Sequence, residues 1–182
     1  MKIRVRRMQE DDVPLAAMID AMSLPVPWTE RAYRAELKTP YSRSWVAESL
    51  VGSNQPLEYR APAYLKRKFT LRQPGELALV GMLVLWLILD EAHIATIAVH
   101  PQMRRQGIAF MLLKTALEQA EKEGAVRALL EVRENNIRAQ QLYLGFGFEI
   151  VGRRRGYYRD NGEDAILMNL EDLPHFKERL IF

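Results

Sequence analysis

The apolar run from Leu77 to Leu89 constrains this chain more than any other feature of its sequence. Its 13 residues fall short of a membrane-spanning helix, which needs about 20. The polar pair Asp90-Glu91 follows, and then a second apolar stretch from Ile94 to Val99. Strand, turn, strand is the pattern of a hairpin. The N-terminus, Met1-Lys2-Ile3-Arg4-Val5-Arg6-Arg7, is basic and alternating and lacks the apolar centre of a signal peptide, so no membrane partner is expected. With 182 residues, 48% hydrophobic and 27% charged, the composition is that of one globular domain spanning residues 1–182.

Helices and strands alternate around the hairpin. Ile3 and Val5 predict a short strand. Asp11-Asp12-Val13-Pro14 supplies an acidic cap and a first-turn proline for a helix, which Pro25-Val26-Pro27 stops. Thr29 caps a second helix that ends before Pro40, and Ser44 to Glu48 reads as a strand. Beyond the hairpin, Leu112, Leu113, Ala116, Leu117 and Ala120 share one face of a helix running from about Gly107 to Glu123, with Gly124 at its end. Arg127 to Arg133 is a strand, Ile137 to Leu144 a helix capped by Asn136, and Phe148 to Gly152 a strand. Glu163 to Leu170 closes the sheet, and a polar helix ends the chain. The class is α/β, with strands dominating in pairs.

Residues 49–76 differ. Pro56, Pro62, Pro74, Gly52 and Gly75 interrupt any period, which predicts an inserted loop. Five basic residues (Arg60, Lys66, Arg67, Lys68 and Arg72) face only Glu58 and Glu76 there, so this segment equals the formal charge of the whole chain, +3. Two readings stand: a basic clamp for an acidic partner, or a solvated surface excursion.

Several chemistries are excluded by what the sequence lacks. Without cysteine there is no disulfide framework, thiolate zinc site or cysteine nucleophile, and a reducing cytoplasm suits such a chain. His93, His100 and His175 have no metal-ligand spacing, so no metal is expected. There is no Gly-x-Ser-x-Gly elbow and no phosphate loop ending in Gly-Lys-Ser/Thr. Gly145-Phe146-Gly147 begins like a dinucleotide fingerprint, but Ile150 stands where the third glycine belongs.

Three features carry chemistry instead. Arg104-Arg105-Gln106-Gly107-Ile108-Ala109 joins a strand to an amphipathic helix. A helix start offers unpaired N–H groups and a positive dipole end, which suit a phosphate. Gly107 and Ala109 lack bulk and two arginines add charge; a helix start that is merely basic is the alternative. Glu131 lies in the apolar strand Leu129-Leu130-Glu131-Val132, where a carboxylate is desolvated or paired and so a candidate base. An ion pair with Arg127 or Arg133 on the same strand face is the competing explanation. Tyr143, two turns beyond Asn136, can point back along the same end of the sheet, and a buried tyrosine is usually core.

Taken in order, Ile97-Ala98-Val99, the Arg-x-x-Gly-x-Ala turn, Leu130-Glu131-Val132-Arg133, Asn136, Leu142-Tyr143 and Gly147-Phe148 resemble the GNAT superfamily of acetyl-CoA-dependent N-acetyltransferases. Pro27-Trp28-Thr29-Glu30, Arg154-x-x-Tyr157-Tyr158 and Glu163-Asp164-Ala165-Ile166-Leu167-Met168 are similar to the bacterial branch that acetylates ribosomal-protein alanine. The resemblance spans nearly the whole chain except residues 49–76 and the tail after Leu170. It implies a mixed, mostly antiparallel splayed sheet flanked by helices, with acetyl-CoA between the strands ending at Val99 and Arg133. Backbone groups of Ile97, Ala98 and Val99 are implied to bond the pantetheine arm and polarise the thioester. Arg104, Arg105, Gln106, Gly107, Ile108, Ala109 and Phe110 are implied to hold the pyrophosphate, and Asn136 to touch the cofactor arm. Glu131 matches the general base and Tyr143 the general acid. Trp28, Tyr157 and Tyr158 are expected on loops beside the sheet end, lining a groove for the peptide.

The chemistry agrees with these roles. At pH 7 an α-amine with a pKa of about 7.7–8.0 reaches its neutral form for about 1 kcal/mol, a lysine amine for about 4.6 kcal/mol. One glutamate is adequate for the former. Lacking cysteine, the chain is expected to transfer acetyl directly, in a ternary complex, to the N-terminus of a protein, a small-subunit ribosomal protein above all. The segment at 49–76 is the departure from the family pattern and leaves peptide choice less determined than the reaction. Acetylation of a small-molecule amine is the rival within the superfamily. Non-catalytic nucleic-acid binding, through residues 60–72 and Arg153-Arg154-Arg155, ranks last because it leaves Glu131 and Tyr143 unexplained.

Overall fold

The computed structural model describes residues 3–51, 56–60 and 69–180. In chain order the elements are β1 (Ile3–Arg7), α1 (Val13–Ser23), α2 (Glu30–Lys38), β2 (Ser42–Leu50), β3 (Leu57–Arg60), β4 (Phe69–Arg72) and β5 (Leu77–Ile88). They continue with β6 (Glu91–Val99), α3 (Ile108–Lys122), β7 (Arg127–Arg133), α4 (Ile137–Gly145), β8 (Glu149–Tyr158) and β9 (Glu163–Leu170). Seven strands form one open sheet in the order β1-β2-β5-β6-β7-β9-β8, and β3 and β4 form a separate hairpin. The chain divides into two compact units: Met1–Val84 with Thr96–Ala116, and Leu85–Ala95 with Leu117–Phe182.

In the first unit β1 pairs antiparallel with β2. Arg6 fastens this edge, its guanidinium lying 2.6 Å from both Asp12 and Glu48. Burial works to raise the Asp12 carboxyl, but the Arg6 and Gln9 hydrogen bonds outweigh it and hold the group below its ordinary range. Asp12 therefore spends its side chain on Gln9 N (2.7 Å) and Arg6, and does not cap α1 as its position suggested. Thr29 does cap α2, accepting from Ala32 N at 3.2 Å.

Part of the expected loop at 49–76 is instead a β-hairpin. Leu57 and Tyr59 of β3 are buried, and the Tyr59 hydroxyl donates to Leu79 O at 2.5 Å. The alternation that buries them lasts only four residues, too few to stand out among the prolines. Arg60 pairs with Glu58, while Lys66, Arg67 and Lys68 lie outside the described residues.

The hairpin of β5 and β6 forms as its pattern predicts, turning at Leu89-Asp90. Gly81 of β5 makes room for α3: a Cβ there would sit 2.9 Å from Ile108 Cγ2, 3.0 Å from Leu112 Cδ1 and 3.1 Å from Ala98 O. The start of α3 therefore lies close against the strand, with Ile108, Leu112 and Leu113 buried.

In the second unit β6 and β7 pair in parallel, from Glu91 opposite Arg127 to Ile94 opposite Leu130, although both strands run on past that rung. β7 pairs antiparallel with β9, and β9 with β8. Gly124, at φ 96°, ends α3 as expected. The strand predicted at Phe148–Gly152 is much longer, extending as β8 to Tyr158, so Tyr157 and Tyr158 belong to a strand and not to a loop. β8 is an edge strand exposed along nearly all its length, so no apolar alternation marks it. The final helix is a 3-10 segment, Leu173–Arg179, seated by buried Leu173 and Phe176, whose ring stacks on Phe146 at 6.2 Å.

Gly81→Ala forces Ile108 and Leu112 to give way at the start of α3, and should cost about 1–3 kcal/mol of stability. Urea unfolding measures it; an unchanged midpoint would mean that α3 yields freely.

Candidate active site

The acid–base candidates gather in the second unit. Strand alternation buries Ala128, Leu130 and Val132 and leaves Leu129, Glu131 and Arg133 on the half-buried face of β7. Opposite Glu131 on β9 is Leu167; one strand further, on β8, lies Arg154, opposite Ala165. The Arg154 side chain reaches back over β9 to pair with the Glu131 carboxylate. Tyr157 also hydrogen-bonds Glu131, and that bond, with burial, raises its phenol above the ordinary value.

The ion pairs suggested for Glu131 do not form. Arg127 pairs with Glu91. Arg133 holds Asp160 at 2.8 Å and Glu163 at 3.0 Å, and its guanidinium lies 3.9 Å above the Tyr158 ring. This cluster pins the β8–β9 turn and the end of β8. Tyr158 meets Tyr157 edge to face at 5.2 Å, and burial pushes its phenol up to about 12 against the opposing charge of Arg133.

Tyr143 comes from α4, whose first turn Asn136 caps by accepting from Ala139 N at 3.3 Å. Its ring is buried beside Phe148, 5.8 Å away. Burial, reinforced by Tyr158, drives this phenol far above its ordinary value. It therefore keeps its proton at neutral pH, the state a proton donor requires. Sequence reasoning placed Glu131, Tyr143, Tyr157 and Tyr158 at one site; they share the second unit, and Glu131, Tyr157 and Tyr158 are neighbours.

The phosphate candidates lie in the first unit. Ala98 is buried, while Ile97 and Val99 are half-buried; the Val99 carbonyl accepts from Ser23 Oγ at 3.1 Å and Arg104 Nε at 3.4 Å. Arg104, Arg105, Gln106 and Gly107 form an exposed turn in which Arg105 and Gly107 take positive φ, 63° and 76°. A Cβ at Gly107 would meet no protein atom within 4 Å, and the positive φ of the turn favours glycine there. α3 then begins at Ile108, with Met111 N bonding Gly107 O at 3.0 Å, and the amides of Ile108 and Ala109 have no acceptor within the helix. Turn amides, a helix start and two exposed arginines fit a pyrophosphate. Ala109 and Phe110 are half-buried in the first turn. Trp28 lies in this unit on the α1–α2 loop, its ring 5.6 Å from Tyr33.

Sequence reasoning missed Arg154 as the partner of Glu131, and Asp20, fully buried on α1 and bonded to Trp28 N and Tyr33 Oη. Asp20 gave the same signal as Glu131, a carboxylate amid apolar residues. The histidines have structural partners: Glu91 for His93, Asp172 for His175, and for His100 the Glu58 carbonyl at 2.7 Å. Among the described residues no group of three acidic or histidine side chains could hold a metal, and no helix is long and apolar enough to cross a membrane.

Comparison with known proteins accords with this geometry. Residues 17–148 match the Acetyltransferase (GNAT) family. The chain is 32% identical over 168 residues to the [ribosomal protein bS18]-alanine N-acetyltransferase of Escherichia coli, covering 91% of this chain and 95% of that protein. It is 32% identical over 169 residues to an N-alpha-acetyltransferase of Sulfurisphaera tokodaii, covering 91% and 90%. The crystal structure of the E. coli ribosomal-protein-S18-alanine N-acetyltransferase superposes with a TM-score of 0.70 at 26% identity, over 93% of each chain.

The buried phenols make alkaline stability a test. Unfolded tyrosines ionise near pH 10, Tyr158 near 12 and Tyr143 higher still, so above pH 10 the native chain keeps protons that the unfolded chain has lost. Their contribution is full below about pH 10 and falls as the pH rises further. Tyr143→Phe should flatten that fall in urea midpoints taken from pH 8 to 11; an equal slope would place the Tyr143 phenol in water.

Proposed function

This chain belongs to the GNAT family of acetyltransferases, and on that premise we propose that it acetylates the α-amine of a protein N-terminus, the N-terminal alanine of ribosomal protein bS18 being its substrate. The enzyme is an acetyl-CoA-dependent N-acetyltransferase, acetyl-CoA supplying the activated acetyl group. In the first unit the amides and arginines of residues 104–110 hold its pyrophosphate, and the main chain of Ile97 to Val99 holds its pantetheine arm. We assign Asn136 of the second unit to the cofactor and its Tyr157 and Tyr158 to the peptide, and Trp28 of the first unit to the peptide.

The transfer forms one N–C bond and breaks one C–S bond, and two protons must move. Glu131 takes the proton that the amine sheds; Tyr143 gives its proton to the departing sulfur. The observation that best supports this division is the contrast between the two groups. Glu131 is half-buried and bound by a cation and a phenol, whereas Tyr143 is buried and protonated. A carboxylate suffices because an α-amine near pKa 8 needs only about 1 kcal/mol to become neutral at pH 7. Transfer is direct, there being no cysteine to carry the acetyl group. A ribosomal-protein substrate is consistent with a reaction in the cytoplasm.

Mass spectrometry of bS18 N-terminal peptides incubated with enzyme and acetyl-CoA tests the reading; no product from any α-amine would refute it. Glu131→Gln should lower kcat/KM about 10²–10⁴-fold, the usual worth of a general base. Tyr143→Phe should lower kcat while leaving the Kd of acetyl-CoA unchanged. A variant that turns over as fast as wild type removes the role assigned to that residue.

A further inference from the structure

Asp20 places a carboxyl group inside the first unit. It stands on α1 beside Ala17 and Ile19 and is fully buried. One carboxylate oxygen accepts two hydrogen bonds, from Trp28 N at 2.8 Å and from the Tyr33 hydroxyl at 2.7 Å; the other is buried and has no partner among the described residues. A carboxylate so desolvated is a liability to the fold unless it holds something in place.

What it holds is the α1–α2 loop. Leu24 N bonds Asp20 O at 2.8 Å and Trp28 N bonds the Asp20 carboxylate, so both ends of the segment from Leu24 to Trp28 hang from one residue. The neighbouring Ser23 Oγ donates to Val99 O at 3.1 Å and so ties the end of α1 to the end of β6. Between the tethers Pro25 and Val26 are exposed, apolar and without regular structure of their own. The two bonds on the carboxylate decide where the Trp28 main chain lies relative to the end of β6.

We propose that Asp20 is a positioning residue for the peptide: it preforms the loop bearing Trp28, so the incoming N-terminus meets a fixed apolar wall. This rests on the reading of Trp28 as a peptide contact. The loop is ordered before the peptide arrives, which spares binding the entropy of ordering it. The carboxylate works through its acceptor geometry and touches neither substrate nor reacting atoms.

Steady-state kinetics on paired variants tests this, with peptide and acetyl-CoA varied separately. Asp20→Ala should raise the peptide KM about 10-fold, with the KM of acetyl-CoA changed by less than about twofold. Asp20→Asn, whose amide oxygen can accept the same two bonds, should return the peptide KM to within about twofold of wild type. Tyr33→Phe, which removes one donor and keeps the ring, should raise the peptide KM about threefold and stands in should Asp20→Ala not fold. An unchanged peptide KM in Tyr33→Phe or Asp20→Ala, an equal rise in both KM values, or no rescue by asparagine would each overturn the assignment. If the wild-type enzyme acetylates no peptide, the substrate reading and this role fall together; if it does and Asp20→Ala binds peptide as well, only the role of Asp20 falls.

Discussion

A carboxylate set into an otherwise apolar strand must find a cation or a donor, because leaving water alone would cost several kcal/mol. At Glu131 the partners come from β8, two places away in the sheet, and their arrival organises the whole of that edge. Arg154 and Tyr157 reach Glu131 from a strand that continues to Tyr158 despite having almost no buried face. Arg133 fixes the far end by holding Asp160 and Glu163 and lying over Tyr158. The edge strand is thus secured by charge and aromatic contact where apolar burial is lacking.

That balance explains what could be read from the residues alone. β7 and α4 were legible to the residue or nearly so, β7 because its apolar alternation is unbroken and α4 because Asn136 caps as its type suggests. So was the helix α3, whose buried face repeats at 3-4 spacing. β8 was half hidden because alternation records burial, and an exposed edge records none. β3 was hidden for a different reason: Leu57 and Tyr59 show period two over a single repeat, inside a segment that its prolines mark as irregular.

The site divides along the same line. Glu131 and Tyr143 announced themselves, one as charge amid apolar neighbours and the other by its distance from a cap. Their surroundings did not, since Arg154 contacts Glu131 only after β9 comes between their strands, and no spacing encodes a contact so distant in sequence. The lack of bulk at Gly107 was legible; the positive φ of its turn, which also favours glycine, was not. Gly81, where a side chain would collide, lay unnoticed inside an apolar run.

Phenols in both units have their acidity lowered by their surroundings. Tyr33, Tyr143 and Tyr158 are all held protonated, chiefly by burial, which disfavours the phenolate. Their uses differ with their partners. Tyr33 gives its proton to a hydrogen bond with Asp20 and is committed to structure. Tyr158 lies under a guanidinium, which fixes its ring and pulls its phenol back toward the ordinary range. Tyr143 has Tyr158 as its electrostatic neighbour and no cation acting on it, so nothing offsets the penalty against its phenolate. A phenol in that position is protonated throughout the neutral range, and burial makes it a weaker acid than a free tyrosine.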